Sequence, residues 1–244
     1  MTNNLFYDTD LAYVHDTGYG NFARKAAKMI KNLFNQEFQE KGLIIDLGCG
    51  SGIVAKELLE DGFKILGIDK SEALIQIAKN RAPNGKFEVG SFFESCFPKC
   101  MGVISTSECL NYSTNGEDEN SLKKLFENVF AALQKDGLFI FDMIEPGTAK
   151  GEKYIIEKDD WTMFLHTWED QEKNVLTRDV TLFRQVENNL YRKSKEIHKA
   201  KLYPHDQIVS LLEEAGFQVS LFKQYDDLNL DEHHFGYKCK KIGV

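Results

Sequence analysis

Three glycines at alternate positions follow a short apolar run early in the chain. The run covers residues 43–47, the glycines are Gly48, Gly50 and Gly52, and a carboxylate, Asp69, ends the next apolar run. Glycines let a ligand contact the backbone, and a helix that begins after them offers free N–H groups. A carboxylate at the end of the neighbouring strand can accept hydrogen bonds from both hydroxyls of a ribose. These residues predict a site for a nucleoside-containing ligand.

Residue types disfavour two common nucleotides. The NAD fingerprint needs glycine or alanine where this chain has Ile53, and an ATP-binding P-loop needs serine or threonine after Gly-Lys, where Phe87 stands. The remaining pattern is Asp46-x-Gly-x-Gly-x-Gly52 with an acid at Asp69. It resembles motif I and the ribose-binding acid of class I S-adenosylmethionine-dependent methyltransferases. A glycine-rich turn in another kind of α/β domain is the alternative.

The order of predicted elements agrees with this resemblance. Strands and helices alternate over 43–143 and again over 204–244, which predicts an α/β core, and the resemblance implies that this core binds S-adenosylmethionine. The resemblance implies a doubly wound, mostly parallel seven-stranded Rossmann-like sheet whose last strand is reversed. Residues 144–203 break the alternation with aromatic and β-branched runs, separated at Asn188-Asn189 among other places, and predict an inserted antiparallel β-meander. The resemblance implies that this insertion lies on the substrate side.

Residues 1–42 are predicted to form an N-terminal helical and lid segment. Apolar residues recur at helical spacing over 22–38, whereas 11–20 mixes aromatic residues, a histidine and glycines and predicts a mobile segment. In the family this region often folds over the cofactor. The resemblance therefore implies lid roles for Tyr13, His15 and Tyr19, and ordinary packing is the alternative for each.

The implied cofactor is S-adenosyl-L-methionine, with S-adenosyl-L-homocysteine as product. Many methyltransferases carry an acid near the end of the third strand to meet the adenine amino group; here the sequence is Gly90-Ser91-Phe92, so the Ser91 hydroxyl or backbone is expected to serve, with Phe92 against the ring. The predicted cofactor-binding residues are Asp46, Gly48, Cys49, Gly50, Gly52, Asp69, Lys70, Ser91, Phe92, Ser107 and Tyr19.

The segment after the fourth predicted strand lies where parallel-sheet enzymes present residues to ligands. Enzymes that methylate the amines of DNA bases usually carry an Asn/Asp-Pro-Pro-Tyr motif here, and this chain has no proline there. Glu108, Asn111 and Tyr112 instead resemble the segment of small-molecule methyltransferases. We expect Glu108 and Tyr112 to be catalytic residues, while Asn111 can equally serve a turn.

The last strand of the insertion has two unlike faces. Lysines fill most odd positions of 190–202, so that face is expected in solvent with Ile197 as the exception, and the even positions, including Glu196 and His198, are expected to face inward. Buried polar groups need partners, so these residues either satisfy one another or line a polar pocket. His198 is a candidate base for the methyl acceptor, with a structural histidine as the alternative.

Composition and charge limit the kinds of partner that this protein can bind. The 244 residues carry 30 Lys plus Arg against 38 Asp plus Glu, a net charge of −8, which argues against nucleic acid and for a small-molecule acceptor. The five cysteines and the lack of a long apolar run predict a cytoplasmic protein without a membrane span. We expect the protein to be either a monomer or a homodimer. No metal is predicted, because His233 and His234 alternate along a strand; residues 231–234 are expected at its surface start. An RNA methyltransferase and a non-catalytic cofactor-binding regulator stay open as alternatives.

Overall fold

Alternating apolar strands and amphipathic helices build most of the chain. The computed structural model describes residues 6–112, 116–187 and 190–242. Its helices are α1 Thr9–Gly18, α2 Gly20–Glu37, α3 Ile53–Glu60, α4 Glu72–Arg81, α5 Glu119–Ala132 and α6 His205–Glu214. Its strands are β1 Leu43–Leu47, β2 Lys64–Asp69, β3 Lys86–Val89, β4 Cys100–Ser105, β5 Leu133–Ile144, β6 Glu152–Glu157, β7 Trp161–Asp170, β8 Val175–Glu187, β9 Leu190–Lys201, β10 Phe217–Phe222, β11 Gln224–Tyr225, β12 Leu228–Asn229 and β13 His234–Lys241.

A seven-stranded sheet forms the centre of the molecule, in the order β10-β13-β5-β4-β1-β2-β3. The pairs from β5 to β3 are parallel, and β13 lies antiparallel between β5 and β10. The strand order reverses at β1 and β4, so their carboxyl ends open a crevice, the usual ligand position in such sheets. The predicted doubly wound sheet with a reversed last strand is confirmed.

Helices cover both faces of this sheet and bury its apolar side chains. Phe126 of α5 packs with Phe139 and Phe141 of β5 on one face, and Ile30 and Phe34 of α2 pack on the other. Side-chain caps fix where two helices start. Ser71 Oγ accepts from the N–H of Leu74 at the start of α4, and Asp118 with Ser121 forms a capping box on α5.

A second, four-stranded antiparallel sheet, β6-β7-β8-β9, lies between β5 and α6 in the sequence. We call it the insertion sheet. Its first strand, β6, is short and mostly exposed. Along β9 the inward face is buried only from Glu196 onward, since Leu190 is 63% exposed. The predicted Asn188-Asn189 turn lies outside the described residues.

Two predictions about local structure are wrong. The supposedly mobile segment 11–20 belongs largely to α1, whose Leu11 and Val14 pack against Trp161 and Met163 of the insertion sheet. The apolar face of α1 packs against residues that are distant in sequence, so the local composition of 11–20 did not indicate a helix. His234 is also not a surface residue: its side chain is 13% exposed and bonds the fully buried Asp142.

Candidate active site

The glycine loop leaves β1 and enters α3 at the crevice of the central sheet. Gly48, Gly50 and Gly52 all have positive φ, of 72°, 51° and 77°. A Cβ on Gly48 would meet Cys109 Sγ at 2.6 Å, and one on Gly52 would meet Ala78, so packing requires these two glycines. A Cβ on Gly50 would meet nothing within 4 Å. Gly50 therefore presents its backbone to open space, where a ligand can approach it.

Two buried carboxylates stand beside this loop, Asp46 at 2% exposure and Asp69 at 7%. Asp69 accepts the N–H of Gly50 at Oδ2 and the N–H of Ser71 at Oδ1, both at 2.8 Å. Its oxygens keep further lone pairs. Asp46 Oδ2 is buried with no hydrogen-bond partner among the described residues. Burial, with the charge of Asp69 nearby, raises the pKa of Asp46 to about 7.

The glycine loop opens into a cavity, here named the glycine-loop cavity. It is walled by the loop, by the carboxyl ends of β1, β2 and β4, and by the N-terminal residues Phe6 and Tyr7. Of the predicted cofactor-binding residues, only Gly52 does not line it; those that do are Asp46, Gly48, Cys49, Gly50, Asp69, Lys70, Ser91, Phe92, Ser107 and Tyr19.

A second cavity, the insertion cavity, adjoins the first. Its walls are α1 and α2, the inner face of the insertion sheet, and residues 228–231 with His234, and it holds about 1630 Å³ of empty space including space open to solvent. The predicted catalytic residues Glu108, Tyr112 and His198 all line it. The two cavities share a wall made by Tyr7, His15, Tyr19, Ser107 and Tyr112.

An ion pair joins the insertion sheet to the loop after β4. Arg178 of β8 bonds Glu108 Oε1 at 2.6 Å and donates to the Tyr112 hydroxyl at 2.6 Å. Burial alone would lower the pKa of Arg178, but the charge and hydrogen bond of Glu108, together with Tyr112 and Tyr7, outweigh it and the pKa rises. Burial raises the pKa of Tyr112, so this phenol keeps its proton. The Glu108 carboxylate thus already has a cationic partner.

The predicted His198 lies in a network with the N-terminal segment. Its Nε2 is 2.8 Å from Glu196 Oε2, and Glu196 accepts the backbone N–H groups of Tyr7 and Asp8 at 2.7 and 3.0 Å. The ring of His198 also lies against Phe6 and Tyr7, with centroids 4.7 and 4.8 Å apart. The inward polar residues of β9 therefore satisfy one another and hold the start of α1 over the cavities.

Sequence reasoning missed a buried cluster around Asp142, near the end of β5. This carboxylate accepts the N–H groups of Ser107 at 2.9 Å and Glu108 at 2.7 Å, the hydroxyl of Tyr225 at 2.9 Å, and Nε2–H of His234 at 2.7 Å. Ser107 and Glu108 both have positive φ, so Asp142 holds a strained turn that faces both cavities. The only signal in the sequence was an acidic residue within an apolar strand. The cluster could not be predicted from it, because the partners of Asp142 come from three separate segments of the chain.

Sequence reasoning also missed Tyr7, which enters the site beside the predicted lid residue His15. Tyr7 and His15 line both cavities, and Ser71 Oγ donates to the carbonyl of Tyr7 at 2.6 Å. His15 Nδ1 is buried without a hydrogen-bond partner in the described part of the chain, and burial lowers its pKa. His15 is therefore neutral near pH 7.

A parallel sheet with a glycine loop, a buried carboxylate at the end of the neighbouring strand and an adjoining second cavity is the arrangement of Rossmann-like nucleotide-binding domains. The family comparison makes this specific. The chain matches the methyltransferase domain family over residues 19–221, and it belongs to that family. It is an S-adenosylmethionine-dependent methyltransferase.

Relatives and solved structures agree with this assignment. A relative from Geobacillus sp. (strain WCH70), whose name describes it as a methyltransferase, is 27% identical over 72% of this chain and 74% of its own length. The structure of an S-adenosylmethionine-dependent methyltransferase from Clostridium acetobutylicum ATCC 824 matches with a TM-score of 0.82 at 17% identity, over 96% of this chain and 98% of that one. CalS10, an amino pentose methyltransferase from Micromonospora echinaspora solved with its methyl donor bound, matches with a TM-score of 0.74 at 12% identity, over 99% and 100%.

Among the described residues, no helix is long and apolar enough to cross a membrane.

Proposed function

We propose that the glycine-loop cavity binds S-adenosylmethionine and that its methyl group is transferred to a small molecule held in the insertion cavity. The observation that carries this proposal is the wall that the two cavities share, made by Tyr7, His15, Tyr19, Ser107 and Tyr112. A donor in one cavity and an acceptor in the other meet only there. Catalysis by positioning then supplies much of the rate, since aligned reactants gain several kcal/mol, on the order of 7, over free encounter.

The residues of the glycine-loop cavity fit such a cofactor. The unpartnered Asp46 oxygen suits an ammonium group, which would satisfy it and favour its ionised form. Asp69 has lone pairs left for ribose hydroxyls, and the open face of Gly50 admits a ligand to the backbone. Ser91 and Phe92 also line this cavity, where we assign them to the adenine. Tyr19, Lys70 and Ser107 complete the proposed cofactor residues.

The bound cofactor would supply an electrophilic methyl group on a sulfonium. The chain's own residues orient the acceptor and exclude water. Arg178 fixes Glu108 and the Tyr112 hydroxyl at the shared wall, so these side chains can donate to or accept from an acceptor in set directions. Glu196 and His198 hold Tyr7 and Asp8 in place, which closes the N-terminal segment over both cavities.

The insertion cavity favours a small acceptor over a nucleic acid. The insertion sheet, α1 and residues 228–231 enclose it on several sides, and the chain has a net charge of −8. A phosphate backbone would meet an acidic, enclosed site. The amino pentose that CalS10 methylates is an acceptor of the kind we propose. An amine or hydroxyl on a small metabolite is the acceptor class that these walls fit best.

The other sequence predictions belong to the same proposal. They divide the chain into a lid segment over 1–42, a cofactor core over 43–143 and 204–244, and a substrate-side insertion over 144–203. The insertion sheet is separate from the seven-stranded sheet, which supports this division. They also place the protein in the cytoplasm, as a monomer or a homodimer.

The proposal is tested by methyl transfer from S-adenosylmethionine with a labelled methyl group. A deproteinised metabolite extract and total RNA are offered separately, to the wild type, to Asp69→Ala and to Asp159→Ala. Asp159 is exposed and lines neither cavity, so its variant is the matched control. We expect label in a metabolite with the wild type and the control, and a large loss with Asp69→Ala. Label in RNA alone, or binding without transfer, would instead favour one of the two alternatives.

A further inference from the structure

Three histidines line the insertion cavity, and they differ in what their ring nitrogens contact. His198 Nε2 is engaged by Glu196, whose other contacts are the backbone of the N-terminal segment. His15 has no carboxylate partner among the described residues, and burial lowers its pKa. His234 has a carboxylate partner and a raised pKa, and that carboxylate, Asp142, also holds the turn at the shared wall.

The geometry of His234 suits a proton acceptor. Its Nε2–H donates to Asp142 Oδ2 at 2.7 Å, which fixes the tautomer and leaves Nδ1 as the basic nitrogen. No hydrogen bond to Nδ1 occurs within the described ranges, and the ring lies in the wall of the insertion cavity, stacked on Phe22 with centroids 5.9 Å apart. The ring is therefore held in one orientation by a buried anion and one aromatic face.

We propose, on the basis of the proposed function, that His234 is a catalytic residue which accepts the proton of the methyl acceptor, and that Asp142 is its positioning residue. The acceptor X–H attacks the methyl carbon while the carbon–sulfur bond breaks and its electron pair stays on sulfur. The X–H bond then gives its electrons to X, and its proton goes to Nδ1 of neutral His234. The resulting imidazolium is stabilised by Asp142 and loses its proton to solvent after product release.

The charges around His234 set the pH range in which it works. Burial alone would lower the pKa of His234, but the hydrogen bond to Asp142 and the charges of Asp142, Glu108 and Asp231 outweigh it and raise the pKa. Arg178 neutralises part of the Glu108 charge, and His15 and His198 line the same cavity. His234 therefore gains and loses its proton above the ordinary histidine range, near 6.5, whereas His15 does so below it.

A first test needs no acceptor. S-Adenosylmethionine carries a fixed positive sulfonium, and S-adenosylhomocysteine differs from it by loss of the methyl group and that charge. If His234 faces the reacting methyl group, its protonated form repels the sulfonium. We expect the affinity for S-adenosylmethionine relative to S-adenosylhomocysteine to rise about fivefold between about pH 6 and pH 9, the size expected when repulsion between two nearby like charges in a partly aqueous site is removed. Titration of Asp46 cancels in this ratio, because both ligands carry the same ammonium group.

Calorimetry at a series of pH values gives the ratio for the wild type, His234→Gln and His198→Gln. Glutamine can still donate to Asp142 or to Glu196, so each variant keeps its structural hydrogen bond. The rise should remain in His198→Gln and vanish in His234→Gln, and Asp142→Asn should move its midpoint to lower pH. A flat ratio in the wild type, with both ligands bound, overturns the inference without any variant, and so does a rise that persists in His234→Gln. Failure of both ligands to bind would instead overturn the proposed function.

A second test follows the proton itself. With the labelled-methyl assay on metabolite extract at saturating donor, we expect His234→Ala to slow transfer about 100-fold, a common contribution of a general base. Added free imidazole should restore part of the rate in His234→Ala and leave that of the wild type unchanged. Transfer by His234→Ala at the wild-type rate, or a slow rate that imidazole does not restore while donor affinity is normal, would contradict the role of His234.

Discussion

The two cavities are built in different ways. The glycine-loop cavity depends mainly on residues 46–92, which follow one another through β1, α3, β2, α4 and β3. The insertion cavity depends on pairs from distant segments, such as the Tyr7 N–H and the Glu196 carboxylate, 189 residues apart. One is made by backbone shape at a crevice of a parallel sheet, and the other by side-chain networks between separately folded elements.

This difference determines which side of the site can change by substitution and which cannot. A site formed by backbone, such as the glycine loop, accepts one kind of ligand. It tolerates changes of the side chains around it, provided that its glycines are kept. A wall of ion pairs and aromatic rings changes its shape and charge with single substitutions. We therefore expect mutations on the insertion side to change stability and acceptor choice, and mutations in the loop to change cofactor affinity.

The largest effect should come from Asp142, the carboxylate that serves four donors at once. Asp142→Asn replaces one acceptor oxygen by an N–H donor that faces other donors in a fully buried site. We expect a loss of about 3 kcal/mol or more in the free energy of unfolding, measured by urea denaturation. Asp159→Asn, on an exposed residue, is the control. An unchanged urea midpoint in Asp142→Asn would show that this cluster does not hold the insertion side together.

Asp69→Ala should act on affinity more than on fold. Hydrogen bonds to a charged acceptor contribute about 1.5 to 3 kcal/mol each, so loss of even one should make S-adenosylhomocysteine bind roughly 12- to 150-fold more weakly. Isothermal calorimetry measures this, with Asp159→Ala beside it. Wild-type affinity in a folded Asp69→Ala protein would remove Asp69 from the cofactor site.

The sequence made the cofactor side predictable and left much of the insertion side unpredicted, for physical reasons. Gly50 and Asp69 are recognisable because a ligand that contacts backbone and ribose restricts residue type and spacing within one strand-helix-strand unit. The partners of Asp142 and Arg178 are fixed only when β8, β13 and the loop after β4 meet in space, which no local pattern encodes. The same reason explains why α1 was not predicted: its apolar face packs against Trp161 and Met163 rather than against its neighbours in sequence.

The pH dependence of cofactor affinity should report the ionisation of Asp46. Its pKa is raised to about 7, so the side chain is largely protonated at pH 6, and an ammonium group of the ligand favours the ionised form. Affinity for S-adenosylhomocysteine should therefore rise about tenfold from about pH 6 to pH 8 and then level off. In Asp46→Asn the affinity should be lower and independent of pH over this range. A wild-type affinity that falls as the pH rises would contradict the assignment of Asp46 to the ammonium group.

The smallest effect should come from the contact of α1 with the insertion sheet. The Tyr13 hydroxyl donates to Asp160 at 2.7 Å, and the Arg184 guanidinium lies 3.6 Å from the centroid of its ring. Tyr13→Phe removes the hydrogen bond and keeps the ring, so we expect a loss of about 1 kcal/mol in the free energy of unfolding and cofactor affinity within about twofold of wild type. Tyr154→Phe, at an exposed position, is the control. A large loss of cofactor affinity in Tyr13→Phe would show that the two cavities are not independently built.

A crystal structure with S-adenosylhomocysteine bound would show whether donor and acceptor meet at the wall that the two cavities share. The account predicts the ligand in the glycine-loop cavity, its ribose hydroxyls on Asp69, its ammonium group on Asp46, and its sulfur facing Tyr7, Ser107 and Tyr112. A ligand bound elsewhere, or one whose sulfur points away from the insertion cavity, would contradict it.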